Sequence, residues 1–394
     1  MNNPLPRAAR VATFTYFTLN GFAVGLWVVH IPNVERATGI SHSTLGALLL
    51  LLGGAAFVGM QVAGPLADRL GQRRLLPAAG VLLGVAVCTP GLASSWWTLA
   101  LSLLFFGFGN GTIDVAMNSH AVVVERAYPR PIMASFHAMW SVGGALAALV
   151  GAGTLAAGVP TAVSLTACGA GCAVVSLLAA RFVIDGRPEP GTGAAGTSAA
   201  PSVRPSRKLV WLLGAIAFAL MLAEGVANDW AALHSRDVLG TSTSTAAFAY
   251  GAFAVAMTAG RFATDRVAAL IGPVAIVRYG AALAAAGLTL VVVAPWLPLA
   301  LVGWALFGLG LSGGVPQLFS AAGNLDTRAS GALMARVVGL GYVGLLAGPA
   351  LIGGLTHWIP LNVAFAVPVV LCVLAAVFAD VLAPRPAPAE EPVG

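Results

Sequence analysis

The sequence predicts an all-α membrane protein with twelve transmembrane helices in two six-helix, pseudo-symmetric halves. Three observations lead there: a scarcity of charge, twelve long apolar runs, and an internal repeat. Of the 394 residues, 58% are hydrophobic and 9% are charged, against roughly 25% charged in ordinary soluble domains. The 48 glycines and a mean hydropathy of +0.90 point the same way. That balance argues against a soluble enzyme and for side chains that face lipid or other lipid-facing helices.

A helix needs ~20 residues to cross ~30 Å of hydrocarbon. Runs of that order lie near residues 10–31, 43–66, 75–93, 97–124, 131–157, 161–183, 209–233, 243–268, 272–294, 297–323, 328–355 and 360–383. They are continuous, unlike the ~10-residue alternating strands of a membrane barrel. The first run exceeds the apolar stretch of a cleaved signal peptide, and it takes part in the repeat, so it reads as a span. Between the sixth and seventh runs, Asp185 to Lys208 is rich in Pro, Gly, Ser and Ala without apolar periodicity, as in a flexible linker. The expected organisation is therefore an N-terminal half at 1–184, a cytoplasmic linker at 185–208, a C-terminal half at 209–383 and a disordered tail at 384–394. Cys88, Cys168, Cys172 and Cys372 all fall inside apolar runs and read as small buried hydrophobes, not as disulfides or metal ligands.

The halves align when slid by about 200 positions: LFFGFGNG at 104–111 matches ALFGLGLS at 305–312, and SVGG at 141–144 matches YVGL at 342–345, both at an offset of 201. The same comparison sets Asn20-Gly21 beside Glu224-Gly225. Parallel repeats of this kind put a solute site near the midplane between halves.

A net charge of +6 and a pI near 9.6 raise the question of nucleic acid, and the distribution of the 20 basic residues answers it. With both termini in the cytoplasm, 18 fall on the inner side or inner helix halves, and only Arg36 and Arg236 lie outside. This is the positive-inside bias, and it explains the basic pI with a lipid bilayer as partner and no nucleic acid.

Only three acids lie well inside the runs: Asp114, Glu224 and Asp229. A carboxylate at the bilayer centre costs ~3 kcal/mol on the mild insertion scale, so such a group is neutral, pairs with a cation or lines a wet cavity. Asn110, Asp114 and Asn118 recur every four residues and form a polar stripe; Asp114 reads either as a proton-coupling acid or as a protonated, hydrogen-bonded structural one. Glu224 shares a face with Asn228. His137, Trp140 and Ser141 share a face of the fifth run, and Asn20 shares one with Trp27. Gln317, Asn324 and Arg336 are the polar intrusions of the later runs. The solute-binding candidates are thus Asn20, Trp27, Asn110, Asn118, His137, Trp140, Asn228, Gln317 and Arg336, each also compatible with a packing role; the proton-coupling candidates are Asp114 and Glu224.

The loop after the second run reads Gly64-Pro-Leu-Ala-Asp68-Arg69-Leu-Gly71-Gln-Arg73-Arg74, with a degenerate copy, Gly260-Arg-Phe-Ala-Thr-Asp265-Arg266, after the eighth. Gly64 permits close helix approach, and Asp68 can accept hydrogen bonds from a neighbouring helix N-terminus. The loop resembles the signature of the major facilitator superfamily. The Gly107 to Asn118 stretch and the AEGVANDW segment at 223–230 resemble that superfamily's fucose permease-like branch.

The resemblance implies a secondary transporter, not an enzyme, with Gly64, Asp68, Arg69, Gly71, Arg73, Asp265 and Arg266 as gating residues. It implies proton-coupled symport of a small, sugar-like polar solute. The alternative is a proton antiporter exporting a drug or secondary metabolite. Exporters of the superfamily often carry Gly-Pro in the fifth span, and here SVGGALAALVGAG has no proline, which favours uptake. No Walker loop, metal-ligand motif or catalytic triad is present in the sequence. Neither cofactor nor metal is expected, and the expected unit is a monomer in the plasma membrane.

Overall fold

The computed structural model describes residues 4–185, 206–326 and 329–383, and among these the secondary structure is entirely helical. The linker from 186 to 205 and the tail from 384 lie outside the described residues. The helices are α1 (Pro4–Thr38), α2 (His42–Leu70), α3 (Gln72–Cys88), α4 (Trp96–Glu125), α5 (Met133–Ala156), α6 (Thr161–Ala180), α7 (Arg207–Asp237), α8 (Thr243–Val293), α9 (Leu297–Leu311), α10 (Gly314–Asn324), α11 (Ser330–Leu355), α12 (Leu361–Ala364) and α13 (Ala366–Val377). Among the described residues, eleven helical stretches are long and apolar enough to cross a membrane.

Local chemistry sets where these helices start and break. Ser41, Ser95, Ser206 and Ser242 accept hydrogen bonds from backbone N–H groups in the first turns of α2, α4, α7 and α8, meeting donors that have no partner inside the helix. Gly71 joins α2 to α3 at φ 79°, ψ 163°, and Gly272 adopts φ 80°, ψ 165° inside α8. Only glycine takes such angles cheaply, and Pro273 follows at a first-turn position where its missing N–H costs nothing. Without that break α8 would extend ~76 Å, more than twice the hydrocarbon thickness.

The tenth run, expected as one span, is broken between α9 and α10 at Ser312 and Gly313. Pro316 is the cause, since its ring lacks an N–H and crowds the carbonyl four residues back. Pro368 acts likewise on the join between α12 and α13 at Phe365.

Helix contacts recur at the repeat offset. A Cβ on Gly107 of α4 would lie 2.2 Å from the Leu52 carbonyl oxygen of α2, and a Cβ on Gly308 of α9 would lie 2.2 Å from that of Phe253 in α8. Both members of each pair differ by 201. Gly143 against Thr18 and Gly344 against Phe218 repeat the pattern for α5 on α1 and α11 on α7. Small residues at such crossings let backbones approach, which is how helices associate where lipid removes the hydrophobic driving force. Between them are packed Tyr16, Phe17, Phe106 and Phe136, and in the later helices Phe253, Trp304, Phe307 and Phe365, all buried. Leu101, Leu149, Val255, Leu270 and many other apolar side chains point outward, a surface suited to acyl chains and not to water. The four cysteines are free; Cys172 and Cys372 are buried, and Cys88 and Cys168 partly so.

Candidate functional site

Helices α1–α6 meet α7–α13 at two levels. The first is the end of the bundle where α6 stops and α7 starts. There Asp68, at the end of α2, accepts the backbone N–H groups of Gly331 and Ala332 in the first turn of α11, at 2.8 and 2.9 Å. Asp265 of α8 does the same to α5, accepting from Ala134 at 2.9 Å and Ser135 at 2.7 Å. The two bridges are related residue by residue at an offset of 197. First-turn N–H groups carry no internal partner and the positive end of the helix dipole, so each carboxylate meets both needs.

Gly64 makes the approach possible, because a Cβ there would come within 2.6 Å of Ala335 Cβ. Arg126 adds bonds from its Nε to Asn324 Oδ1 (2.7 Å) and from a terminal nitrogen to the Gly323 carbonyl (2.6 Å). Glu125 accepts from the backbone of Ile132 and Met133 at 2.9 and 3.0 Å and from the Ser320 hydroxyl. Arg73 behaves differently: its backbone N–H donates to Asp185 and its Nε to the Val183 carbonyl, tying α3 to the end of α6. Arg69 and Arg266 are exposed beside the bridges.

The second level is deep in the bundle. Asp114 lies 11 residues, ~16 Å of helix, from the end of α4 at Glu125, and Arg261 lies the same 11 residues before Gly272. Together with Glu224 and Tyr342 they line a cavity of about 90 Å3, to which α5 adds His137 and Trp140 and α10 adds Val315 and Phe319. Arg261 is 7% exposed. It donates to the Ser141 hydroxyl at 2.9 Å and to Glu224 at 3.3 Å, joining α8, α5 and α7. Tyr342 of α11 faces the same cavity as Asp114 of α4. Asn20 donates to Asn110 Oδ1 at 2.7 Å and accepts from Trp140 Nε1 at 2.6 Å, which fixes the indole at the cavity wall. His137 stands between Phe17 and Phe319, with ring centroids 5.2 and 5.8 Å away. Three polar atoms of this group are buried without a partner among the described residues: Arg261 Nε, His137 Nε2 and Asp114 Oδ2.

The structure thus brings together Asp114, Glu224, His137 and Trp140 in the cavity wall, with Asn20 and Asn110 directly behind. Asn118 is buried one turn away and donates to the Asp114 carbonyl. The other candidates lie elsewhere. Trp27 packs edge-on against Phe106, Asn228 and Arg336 are exposed, and Gln317 lines a separate cavity of about 390 Å3 at the linker-proximal end with Glu125, Ser320 and Asn324.

Sequence reasoning missed two polar wall residues, Arg261 and Tyr342. Arg261 passed as one more inner-side cation, although a cation deep inside an apolar run was itself a signal. Tyr342 is the repeat partner of Ser141 in the SVGG and YVGL match. The arrangement offers donors, acceptors, aromatic faces and two carboxyl groups to a small solute.

The chain resembles known proteins over nearly its whole length. The Major Facilitator Superfamily model matches residues 12–326. An uncharacterized transporter of Sinorhizobium fredii is 34% identical, covering 93% of this chain and 96% of its own. An uncharacterized MFS-type transporter of Yersinia pestis is 33% identical, covering 90% and 91%. Among solved structures, FucP in the outward conformation superposes with a TM-score of 0.77 at 14% identity, covering 95% of this chain and 98% of that one, a likeness of fold. The matched family model and the two relatives establish that the chain belongs to the major facilitator superfamily, whose members are membrane transporters and not enzymes.

Proposed function

We propose that this transporter moves a small polar, sugar-like solute by proton-coupled symport, through alternating access to the central cavity. The observation that carries the reading is that the cavity draws its walls from both helix groups, Asp114, His137 and Trp140 from one and Glu224, Arg261 and Tyr342 from the other. Rocking one group against the other would open such a site to each side in turn.

On this reading the break at Gly272 divides α8 into two crossings, twelve in all, and α1–α6 and α7–α13 are the two halves, joined by a linker at 185–208. The basic bias puts the linker end and both termini in the cytoplasm. The bridges of Asp68 and Asp265 then close the cytoplasmic side, the conformer is outward-facing, and Gly64, Asp68, Arg69, Gly71, Arg73, Asp265 and Arg266 form the gate. A single chain in the plasma membrane is the working unit.

The test is flux in proteoliposomes. Asp114→Asn keeps hydrogen-bonding capacity but cannot titrate, so it retains solute binding and counterflow and loses accumulation driven by a pH gradient. An Asn variant that concentrates solute at wild-type levels would remove Asp114 as the coupling acid.

A further inference from the structure

We propose that the solute is a small hydroxylated monocarboxylate and that Arg261 is the residue that holds its carboxylate. The proposal rests on the transport reading above and names its substrate class. Arg261 is 93% buried by its exposure of 7%. Its guanidinium carries five N–H donors in a planar fork. Two meet acceptors, and the contact to Glu224 is 3.3 Å, longer than the ~2.7–2.9 Å of a good charge-assisted bond. Nε has no acceptor among the described residues. A buried guanidinium with donors to spare and one loose, single-point ion pair is poised for a planar anion that takes two bonds at once.

The rest of the wall narrows the class. Asp114 Oδ2 and His137 Nε2 are also without partners, and they suit hydroxyl groups, while Trp140 and Phe319 offer flat apolar faces. A neutral polyol would leave the Arg261–Glu224 pair as it stands. A dicarboxylate would set its second charge among Asp114 and Glu224. A monocarboxylate on Arg261 displaces the single-point contact to Glu224 and leaves one charge for Arg261 to meet. The charged and titratable groups around Glu224 are Arg261 and Tyr250 from α8, Tyr342 from α11, Asp114 from α4, His137 from α5 through Arg261, and Asp229 on its own helix.

The test uses purified full-length protein and matched probes: gluconate with glucitol, and galacturonate with galactose, followed by thermal shift and equilibrium binding. The carboxylate member of a pair binds, and its neutral partner does not. Arg261→Gln loses ~30-fold or more in affinity, and Arg261→Lys recovers part of it. Glu224→Gln, which removes the carboxylate that competes for Arg261, changes the affinity for the acidic probes and leaves the neutral members unbound, a selectivity that a merely structural Arg261 would not show. Binding and pH-driven uptake of a neutral member, indifferent to Arg261→Gln, would overturn the inference and leave the transport reading standing. Failure of every member, acidic or neutral, to bind the folded protein would overturn both.

Discussion

Replacing Asp68 by Asn tests the gate at its most exposed joint. The carboxylate accepts two backbone N–H groups of α11, at 2.8 and 2.9 Å; the amide has one acceptor oxygen and no charge. A hydrogen bond to a charged group contributes about 1.5–3 kcal/mol, and a carboxylate at a helix N-terminus about 0.3–1 kcal/mol through the dipole. Since one neutral bond survives, the loss to the closed state is about 2 kcal/mol, a shift of about 30-fold in the conformational equilibrium. A closed conformer favoured about 100 to 1 would fall to about 3 to 1.

Spin labels at Arg74 and Lys208, exposed residues of different helix groups near the linker, report this as a second, longer distance in pulsed electron resonance. Solute affinity stays within a few-fold, because Asp68 does not line the central cavity, while transport slows. An unchanged distance distribution with transport abolished would refute the reasoning, and so would loss of solute binding in a folded variant.

Two further outcomes follow from packing and topology. Gly107→Ala sets a Cβ 2.2 Å from the Leu52 carbonyl oxygen, whereas nothing lies within 4 Å of one on Gly54; the first lowers Tm by an overpacking cost of about 1–3 kcal/mol, and Gly54→Ala leaves it unchanged or raised. Reporter fusions within residues 186–205 give a cytoplasmic signal, as the positive-inside bias requires; an external signal would invert the orientation and with it the assignment of the closed side.

What the sequence made legible is local or repeated. The runs marked the helices because lipid demands long apolar stretches, and the 201-residue offset read between the halves recurs in the contacts of Gly107 with Leu52 and of Gly308 with Phe253. Helical spacing grouped Asn110 with Asp114, and His137 with Trp140. Periodicity defines a face but not the neighbour that face meets. For that reason Trp27 and Arg336, equally plausible on their own helices, stand away from the cavity, while Arg261 and Tyr342 enter it from helices whose packing only three dimensions supply. Pro316 was visible in the sequence, and its effect on the tenth run was missed because proline is tolerated in α2, α3 and α11 without a break.

The crossed bonds of Asp68 and Asp265 have a mechanical consequence. Each helix group contributes one carboxylate and one receiving helix start, so the contact is isologous in the sense of a two-fold dimer interface, although one chain makes both sides. Two bridges of matched chemistry, each with two backbone N–H groups on one carboxylate, would share the load if one group tilted against the other. Neither can serve as the hinge while the other yields. On the proposed gating reading, this end of the bundle would part in a single step, and a lesion in either bridge would weaken the whole closure instead of loosening one side of it.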